Sequence, residues 1–259
     1  MKHLFITLFS FLASSTLLAY DAEINGIYYN FSGDEAEVTY RTENAEDNYA
    51  GEVVIPESVT YMDKEYRVTS IGSKAFYRSS EMTSVIIPKS VNVVKSFAFM
   101  SCTSLTNIII PNSVEGIHER VFESCKNLKS VTLSKRLAHL GEDAFWNCSN
   151  LEEIVCKSEV PPATLYIDKG AIDRPGGVFY NVDKQNCKLY VPKGCEEAYR
   201  SAELWKDFNI VEMEMGINEV TDEGVKSEKS ANAIFNLSGQ RLSKALKGIN
   251  IVGGKKVLY

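Results

Sequence analysis

A 23-residue period runs through the middle of this 259-residue chain. Residues 66–88, 89–111, 112–134 and 135–157 align without gaps. Two columns of the alignment hold phenylalanine and, three residues later, cysteine or serine: Phe76, Phe99, Phe122 and Phe145, and Ser79, Cys102, Cys125 and Cys148. A fixed period of 20–50 residues is the signature of a solenoid, in which similar coils stack on one another. The period therefore predicts a solenoid over residues 66–157.

Each block ends in an L-x-x-V/I-x-I/L segment, beginning at Met82, Leu105, Leu128 and Leu151. Its alternation of apolar and other residues predicts a strand with the Val and Ile side chains turned inward. The A-F-x-x-C half of each block predicts a short helix, a 3₁₀ turn or a compact arc on the opposite side. Because one coil cannot bury its own faces, the coils must stack and the two ends need caps.

The flanks divide into five further segments. Residues 1–19 have the basic start, apolar run and small-residue end of a signal peptide that is too short to span a bilayer. Residues 20–65 predict a hairpin cap and a degenerate first coil, since "VVIP" at 53–56 matches "VIIP" at 85–88 with an offset of 32. Residues 158–215 predict an insertion and a strand-helix cap with a helix over 196–208. Residues 216–230 read as a linker, and 231–259 as a small β module of three strands.

The cysteine column admits three interpretations. Small buried thiols can fill a narrow slot beside the phenylalanines. Stacked coils also bring neighbouring thiols close to the separation that a disulfide needs, and clustered thiols can bind a metal, although no C-x-x-C pair or clustered His supports this. Cys156 stands in a core column, and Cys187 and Cys195 straddle a short strand, where a local disulfide is possible in an oxidising compartment.

The strand segments predict a candidate binding face. Residues between the inward positions point outward in two rows, which are Ser84, Asn107, Ser130 and Glu153, and Ile86, Ile109, Thr132 and Val155. The second row forms an apolar docking strip if it is exposed. The alternative is that β-branched residues occur there only because they suit strands.

Catalytic chemistry finds no support in the sequence. Outside the predicted signal peptide, His118 and His139 are the only histidines, and they stand in different columns, as exposed polar residues would. No nucleophile, metalloprotease, phosphate-binding or dinucleotide motif occurs. A net charge of −6 and a pI near 5.3 give no general reason to bind nucleic acid or an anionic membrane. We expect no enzyme activity, cofactor, metal or nucleic-acid partner.

The I-G-x-x-A-F-x-x-C core and the L-x-x-V-x-I-P strand resemble the BspA-like class of leucine-rich repeats, found in exported proteins of anaerobic bacteria. The likeness is specific at Ser70-Ile71-Gly72 with Ala75-Phe76, and at Gly141 with Ala144-Phe145 and Cys148; it covers residues 23–213. Three positions depart from the pattern: Lys95 and His118 replace Gly72, and Val121 replaces Ala75. These replacements suggest a tolerant outer arc. The tail weakly resembles type IX sorting domains.

The resemblance implies an α/β leucine-rich-repeat solenoid that is secreted or held at the cell surface, or periplasmic, without membrane insertion after signal cleavage. Some relatives are adhesins. We therefore expect a binding protein whose strand face recognises a host matrix or bacterial surface protein or glycan. The alternative is a passive spacer or assembly subunit that presents the C-terminal tail. Deleting residues 216–259 alone would then remove its function.

Overall fold

The computed structural model describes residues 19–42, 49–164 and 177–213, together with four short strands between residues 234 and 258. The predicted signal peptide, apart from Ala19, and the predicted linker over 216–230 lie outside the described residues.

The secondary structure of the described residues is twenty strands and one helix. The N-terminal strands are β1 (Ala22–Ile24), β2 (Ile27–Ser32), β3 (Glu35–Thr39), β4 (Gly51–Val54), β5 (Ser58–Tyr61) and β6 (Lys64–Ile71). The next are β7 (Met82–Ile86), β8 (Val93–Val94), β9 (Asn107–Ile109), β10 (Gly116–Ile117), β11 (Ser130–Leu133), β12 (His139–Leu140) and β13 (Glu153–Cys156). The C-terminal elements are β14 (Ala163–Thr164), β15 (Lys188–Val191), α1 (Glu196–Ser201), β16 (Asn209–Glu212), β17 (Ile234–Phe235), β18 (Arg241–Leu242), β19 (Ile249–Val252) and β20 (Lys255–Leu258).

Two walls of parallel strands enclose the core. In the first wall the strands run in the order β16-β15-β13-β11-β9, and β7 pairs with β4 as a separate two-stranded sheet. In the second wall β6, β8, β10, β12 and β14 follow one another. The registers advance by the sequence period, for example from Val131 to Ile154 in the first wall and from Ile117 to Leu140 in the second. The predicted solenoid is confirmed.

The repeated phenylalanines lie in one file along the core, as predicted. Successive rings of Phe76, Phe99, Phe122 and Phe145 stack with centroids 4.9, 5.4 and 5.1 Å apart and nearly parallel planes. The file continues to Phe179, 5.4 Å beyond Phe145. Sequence reasoning missed this fifth coil because Phe179 follows Phe145 after a longer interval than the repeat period. Residues 178–182, which we had placed in the insertion, therefore belong to the array.

The arcs between the walls are turns and contain no helix among the described residues. In each arc two residues four apart have φ between 53° and 63°, and these are Lys74 and Arg78, Phe97 and Ser101, Arg120 and Ser124, and Asp143 and Asn147. Left-handed residues at that spacing interrupt a right-handed helix. Of the alternatives that we considered, the compact arc is the one formed. Hydrogen bonds from coil to coil, such as Phe76 N to Ala98 O at 2.8 Å, satisfy its backbone.

The cysteine column is a ladder of buried thiols. Cys102, Cys125 and Cys148 donate to the carbonyl oxygen of the phenylalanine in the preceding coil, at 2.9, 3.0 and 3.1 Å. All six cysteines of the chain are free, so neither the stacked disulfide nor the Cys187–Cys195 bridge is present. Burial raises the pKa of Cys125 to about 12. The column therefore packs and donates hydrogen bonds, and its thiols stay protonated.

The strands of the second wall were not predicted. Four of them, β8, β10, β12 and β14, are two residues long, which is too short for alternation to show in a sequence. Their inward residues were visible only as the column Ile71, Val94, Ile117 and Leu140, each fully buried.

A hairpin closes the N-terminal end. β2 and β3 pair across the turn at Gly33 and Asp34, and β3 joins the second wall beside β6. The degenerate first coil pairs through β4 with β7, where Glu52 stands opposite Ser84, in the register that the matching "VVIP" and "VIIP" segments predicted. Tyr49 closes the aromatic file 4.6 Å from Phe76, and its hydroxyl donates to Thr39 O at 2.7 Å.

A short helix and two buried aromatic residues close the C-terminal end. The helix α1 has six residues, where the sequence had predicted a helix over 196–208. Turns replace its second half, yet Trp205 and Phe208 remain buried against the last coil. Trp205 Nε1 donates to Pro162 O at 2.8 Å.

The C-terminal tail holds an antiparallel sheet in the order β18-β17-β19-β20. The sequence had suggested three strands. The Ser-Gly turn at 238–239 and the Gly-Gly turn at 253–254 had left one strand between them, whereas the structure forms two strands there, β18 and β19. After the second turn, β20 pairs with β19 over four residue positions.

Glycine allows a close backbone approach at two positions of the supposedly tolerant outer arc, Gly72 and Gly141. A Cβ on Gly141 would lie 2.3 Å from the carbonyl carbon of His118 and 2.4 Å from Glu119 N. These are backbone atoms, so a side chain there requires the coil to move. In the first repeat a Cβ on Gly72 would lie 2.8 Å from Val38 O, whereas the second and third repeats hold Lys95 and His118. The coils are therefore not equivalent in this column, and its tolerance is confined to the second and third repeats.

Candidate functional site

The eight residues of the predicted face lie where the sequence placed them, on the outer surface of the first wall. All eight are partly exposed: Ser84, Ile86, Asn107, Ile109, Ser130, Thr132, Glu153 and Val155. The residues between them point inward, and Val85, Ile108, Val131 and Ile154 are at most 7% exposed. This alternation follows from the two-residue period of a strand.

Strand pairing brings most of these residues into two straight rows. Ser130 stands opposite both Asn107 and Glu153. Thr132 stands opposite Ile109 and Val155 in the same way. Ser84 and Ile86 pair instead with Glu52 and Val54 of the degenerate coil. The structure therefore joins six of the eight residues in one sheet and places the other two in the adjoining β4–β7 sheet.

Both rows extend beyond the predicted residues, and we call the whole surface the strand face. The added members are Glu52 and Val54 of β4, Lys188 and Tyr190 of β15, and Asn209 and Val211 of β16. Val54 is 51% exposed. The sequence analysis recognised the segments containing β4 and β15 but did not extend the rows to them, and it gave no signal for β16. Seven strands at a spacing of about 4.8 Å make the rows about 29 Å long.

A shallow cleft of about 360 Å³ interrupts the strand face between β7 and β9. Ile86 and Ile109 line its walls, and Pro88 and Pro111 lie at its end. Glu57 and Lys89 also line it, with 3.9 Å between their charged atoms. The cleft coincides with the place where the parallel ladder is broken, because β7 pairs with β4 and β9 pairs with β11.

The two rows of the strand face hold uncharged residues in their middle. Strands β7, β9 and β11 present only Ser, Asn, Thr and Ile in the two rows. Charged side chains begin at Glu52 on one side and at Glu153 and Lys188 on the other. An uncharged centre lowers the desolvation cost of covering this surface with a partner, whereas a flat wall with a shallow cleft offers little enclosure to a small molecule.

No constellation for metal binding occurs among the described residues, since no three His, Cys, Asp or Glu side chains converge there. His118 and His139 are both exposed, on adjacent coils of the second wall. Arg120 lies between the buried carboxylates of Asp143 and Glu123, at 3.5 and 3.7 Å, in an arc that is separate from the strand face. None of the helices in the described part of the chain has the length and apolar character of a membrane span.

Comparison with known proteins agrees with this geometry. A model described as the BspA type leucine-rich repeat region matches residues 51–167 in six copies. No curated protein sequence matches the chain. The crystal structure of a leucine-rich repeat protein from Bacteroides ovatus superposes with a TM-score of 0.50 at 26% identity, covering 76% of this chain and 53% of that one. This chain thus spans about half the length of that relative.

Two further structures are more weakly similar. The pneumococcal vaccine antigen PcpA has a TM-score of 0.46 at 19% identity, covering 68% of this chain and 50% of that one. A leucine-rich cell surface protein from Faecalibacterium prausnitzii has a TM-score of 0.35 at 18% identity, covering 74% and 72%. Taken with the 23-residue registers and the stacked phenylalanines, the family match identifies residues 51–167 as a BspA-type leucine-rich repeat region.

Proposed function

We propose that the protein is an exported or surface-associated, non-enzymatic binding module that recognises a protein partner through the strand face. The observation that carries this proposal is the apolar row of the strand face. Its seven members lie in register within two adjoining sheets: Val54 and Ile86 in the β4–β7 pair, and Ile109, Thr132, Val155, Tyr190 and Val211 in the sheet from β9 to β16.

The chemistry of this row favours a protein over a glycan. Six of its seven members are β-branched, and only Tyr190 offers a ring. Burying about 25 cal/mol per Å² of such apolar surface supplies affinity to an apolar protein surface. The uncharged middle then contributes shape and hydrogen bonds from Ser84, Asn107 and Ser130. If β-branched residues occurred in the row only because they favour strands, the sequence pattern would be the same. The proposal therefore depends on whether disrupting the row weakens binding.

The test is the double substitution Ile86→Glu plus Ile109→Glu. Two carboxylates on either side of the cleft would have to lose water when a partner covers the strand face, and the remaining apolar side chains cannot repay that cost. We expect at least a tenfold loss of binding to those immobilised host matrix proteins or bacterial surface proteins that the unmodified protein binds. The melting temperature should fall by only a few degrees, because both side chains are already partly exposed.

The matched control is His118→Glu plus His139→Glu, which adds the same two carboxylates to exposed positions of the second wall. Binding should survive this change. Equal loss in both variants would point to general repulsion and contradict a role for the strand face. If instead the isoleucine variant binds normally and deletion of residues 216–259 abolishes binding, the repeat array is a spacer that presents the tail. A parallel assay with the glycans of the same surfaces separates protein from glycan recognition.

A further inference from the structure

The cleft of the strand face lies where a hydrogen bond between neighbouring coils is missing. At the next junction along the first wall, between β9 and β11, Ile110 N donates to Thr132 O at 2.8 Å. The 23-residue period assigns the same bond at the cleft to Ile87 N and Ile109 O. This bond does not form within the ranges that the structure describes, and β7 and β9 belong to separate sheets.

The two backbone groups of this missing bond point into the cleft. Successive residues of a strand in a parallel sheet direct their N–H and C=O groups to opposite neighbours. Ile86 O accepts from Ile55 N at 3.0 Å on the β4 side, so the following residue, Ile87, faces β9. Ile110 N is directed to β11, so Ile109 faces β7. The N–H of Ile87 and the C=O of Ile109 therefore face each other across the cleft, which both residues line.

The rest of the lining favours an uncharged, apolar occupant. Isoleucine, valine and proline side chains make up most of it. Glu57 and Lys89 contribute one charge of each sign, 3.9 Å apart, so the lining carries no net charge. An apolar cavity of about 150 Å³ in another protein holds a benzene molecule. A cleft of about 360 Å³ therefore has room for an aromatic side chain.

We propose that the cleft is a pocket for a tyrosine side chain of the protein partner. The phenol ring lies between Ile86 and Ile109, and its hydroxyl accepts from Ile87 N and donates to Ile109 O. A tyrosine hydroxyl can do both, whereas a tryptophan indole only donates and a phenylalanine ring does neither. Tyrosine is also one of the residues that most often anchor an interface by filling a pocket. This inference rests on the proposed function, because it assumes that the strand face is the protein-binding surface.

The experiment titrates the isotope-labelled full chain with N-acetyl-tyrosinamide and follows the backbone amide resonances by NMR. We expect a dissociation constant on the order of 1 mM, as is usual for so small a ligand, with the largest shifts at Ile87 and Ile109. N-acetyl-phenylalaninamide lacks only the hydroxyl. It should bind about 3- to 10-fold more weakly, because the two hydrogen bonds to the backbone are lost. Equal affinity of the two compounds, or no shift at Ile87 and Ile109, would overturn the proposal.

Matched tryptophan substitutions separate the cleft from the rest of the strand face. Ile86→Trp fills the cleft from one wall and should remove the binding of N-acetyl-tyrosinamide. Ile109→Trp fills it from the other wall and repeats the test if the first variant does not fold. The control is Val155→Trp, which adds the same ring at a partly exposed position two strands beyond β9 and should leave the dissociation constant unchanged. Binding that persists in both cleft variants, or that is lost equally in the control, contradicts the proposal.

This test can fail separately from the test of the proposed function. A surface protein might be bound by the Ile86→Trp variant but not by Ile86→Glu plus Ile109→Glu. That outcome would keep the strand face as the binding surface and overturn the tyrosine pocket as its anchor. If no surface protein binds while N-acetyl-tyrosinamide still occupies the cleft, the proposed function fails and the pocket stands.

Discussion

The interior of the solenoid and its C-terminal cap bury similar side chains by different means. In the interior each contact is repeated from coil to coil, as in the stacked phenylalanines and the thiols that donate to their carbonyl groups. In the cap each polar contact occurs once: Trp205 Nε1 donates to Pro162 O, and the Tyr199 hydroxyl donates to Ser158 O at 2.8 Å. Repetition therefore stabilises the interior, and individual hydrogen bonds fix the cap.

The two regions also differ in how aromatic rings meet. Interior rings are within 17° of parallel between Phe76 and Phe145. At the cap, Trp205 is tilted by 60° to Phe179, and Phe208 meets the same ring at 79°. Parallel stacking leaves a ring face open for the next coil, whereas tilted and edge contacts cover it. The change of ring geometry is what ends the file and prevents further stacking.

The largest effects should come from removing one ring in each region. Phe99→Ala and Trp205→Ala each delete a fully buried ring, and each should lower the free energy of unfolding by about 3–5 kcal/mol in urea titrations. The location of the damage should differ. Hydrogen exchange should rise in the coils on both sides of Phe99, but only in the last coil and the cap for Trp205, because each coil contacts only its neighbours.

Phe97→Ala is the matched control, since Phe97 lies in the same arc as Phe99 but is partly exposed. Its cost should be about 1 kcal/mol, because only part of its ring leaves an apolar environment. If Phe97→Ala lowered the free energy of unfolding as much as Phe99→Ala, the number of aromatic rings, and not their place in the stacked file, would determine stability. If hydrogen exchange rose equally in all coils of the Trp205→Ala variant, the interior and the cap would not differ in how far the damage spreads.

The sequence predicted the interior well because repetition made every contact visible in several places at once. The phenylalanine file, the inward columns and the outward rows all followed from one period. The second-wall strands escaped because two residues cannot show alternation. The strand face was predicted at eight positions, but β16 could not be included, since its pairing with β15 at Ile210 and Leu189 follows no repeated interval.

The caps were less predictable because they depend on single contacts. Apolar spacing at 198, 199, 202 and 205 indicated a helix, and the chain instead leaves the helix after Ser201. Ala202 is extended, with ψ of 122°, which lets Trp205 reach Pro162. That hydrogen bond joins residues 43 positions apart, and local propensity does not report contacts at such separation.

Gly141 tests how closely neighbouring coils of the interior are stacked. Gly141→Ala should lower the free energy of unfolding by about 2–3 kcal/mol, because the new Cβ would overlap backbone atoms of the coil below and one of the two coils must shift. Gly116→Ala is the control, since a Cβ there meets nothing within 4 Å. Losing glycine flexibility in the unfolded chain should make it neutral or stabilising by about 0.4–1 kcal/mol. Thermal denaturation of both variants measures the difference, and equal melting temperatures would show that the coils move apart freely.

Raising the pH by one unit in the alkaline range should have the smallest effect per residue on the free energy of unfolding. It should act in both the interior and the cap. Burial raises the pKa of Cys125 in the interior to about 12 and that of Cys156 beside the cap to about 11, against about 8.5 for a thiol in an unfolded chain. Both states hold the proton below about pH 8.5, so the full stability is present there. Above it the unfolded chain releases the proton first, and each thiol should lower stability by about 1 kcal/mol per pH unit until its folded pKa is reached.

Cys125→Ala and Cys156→Ala should each make the fall in stability between about pH 9 and 10 shallower by that amount, as followed by urea titrations at several pH values. Slopes that match the unmodified protein would mean that these thiols already meet water in the folded state, which is incompatible with the closed stacking of the coils.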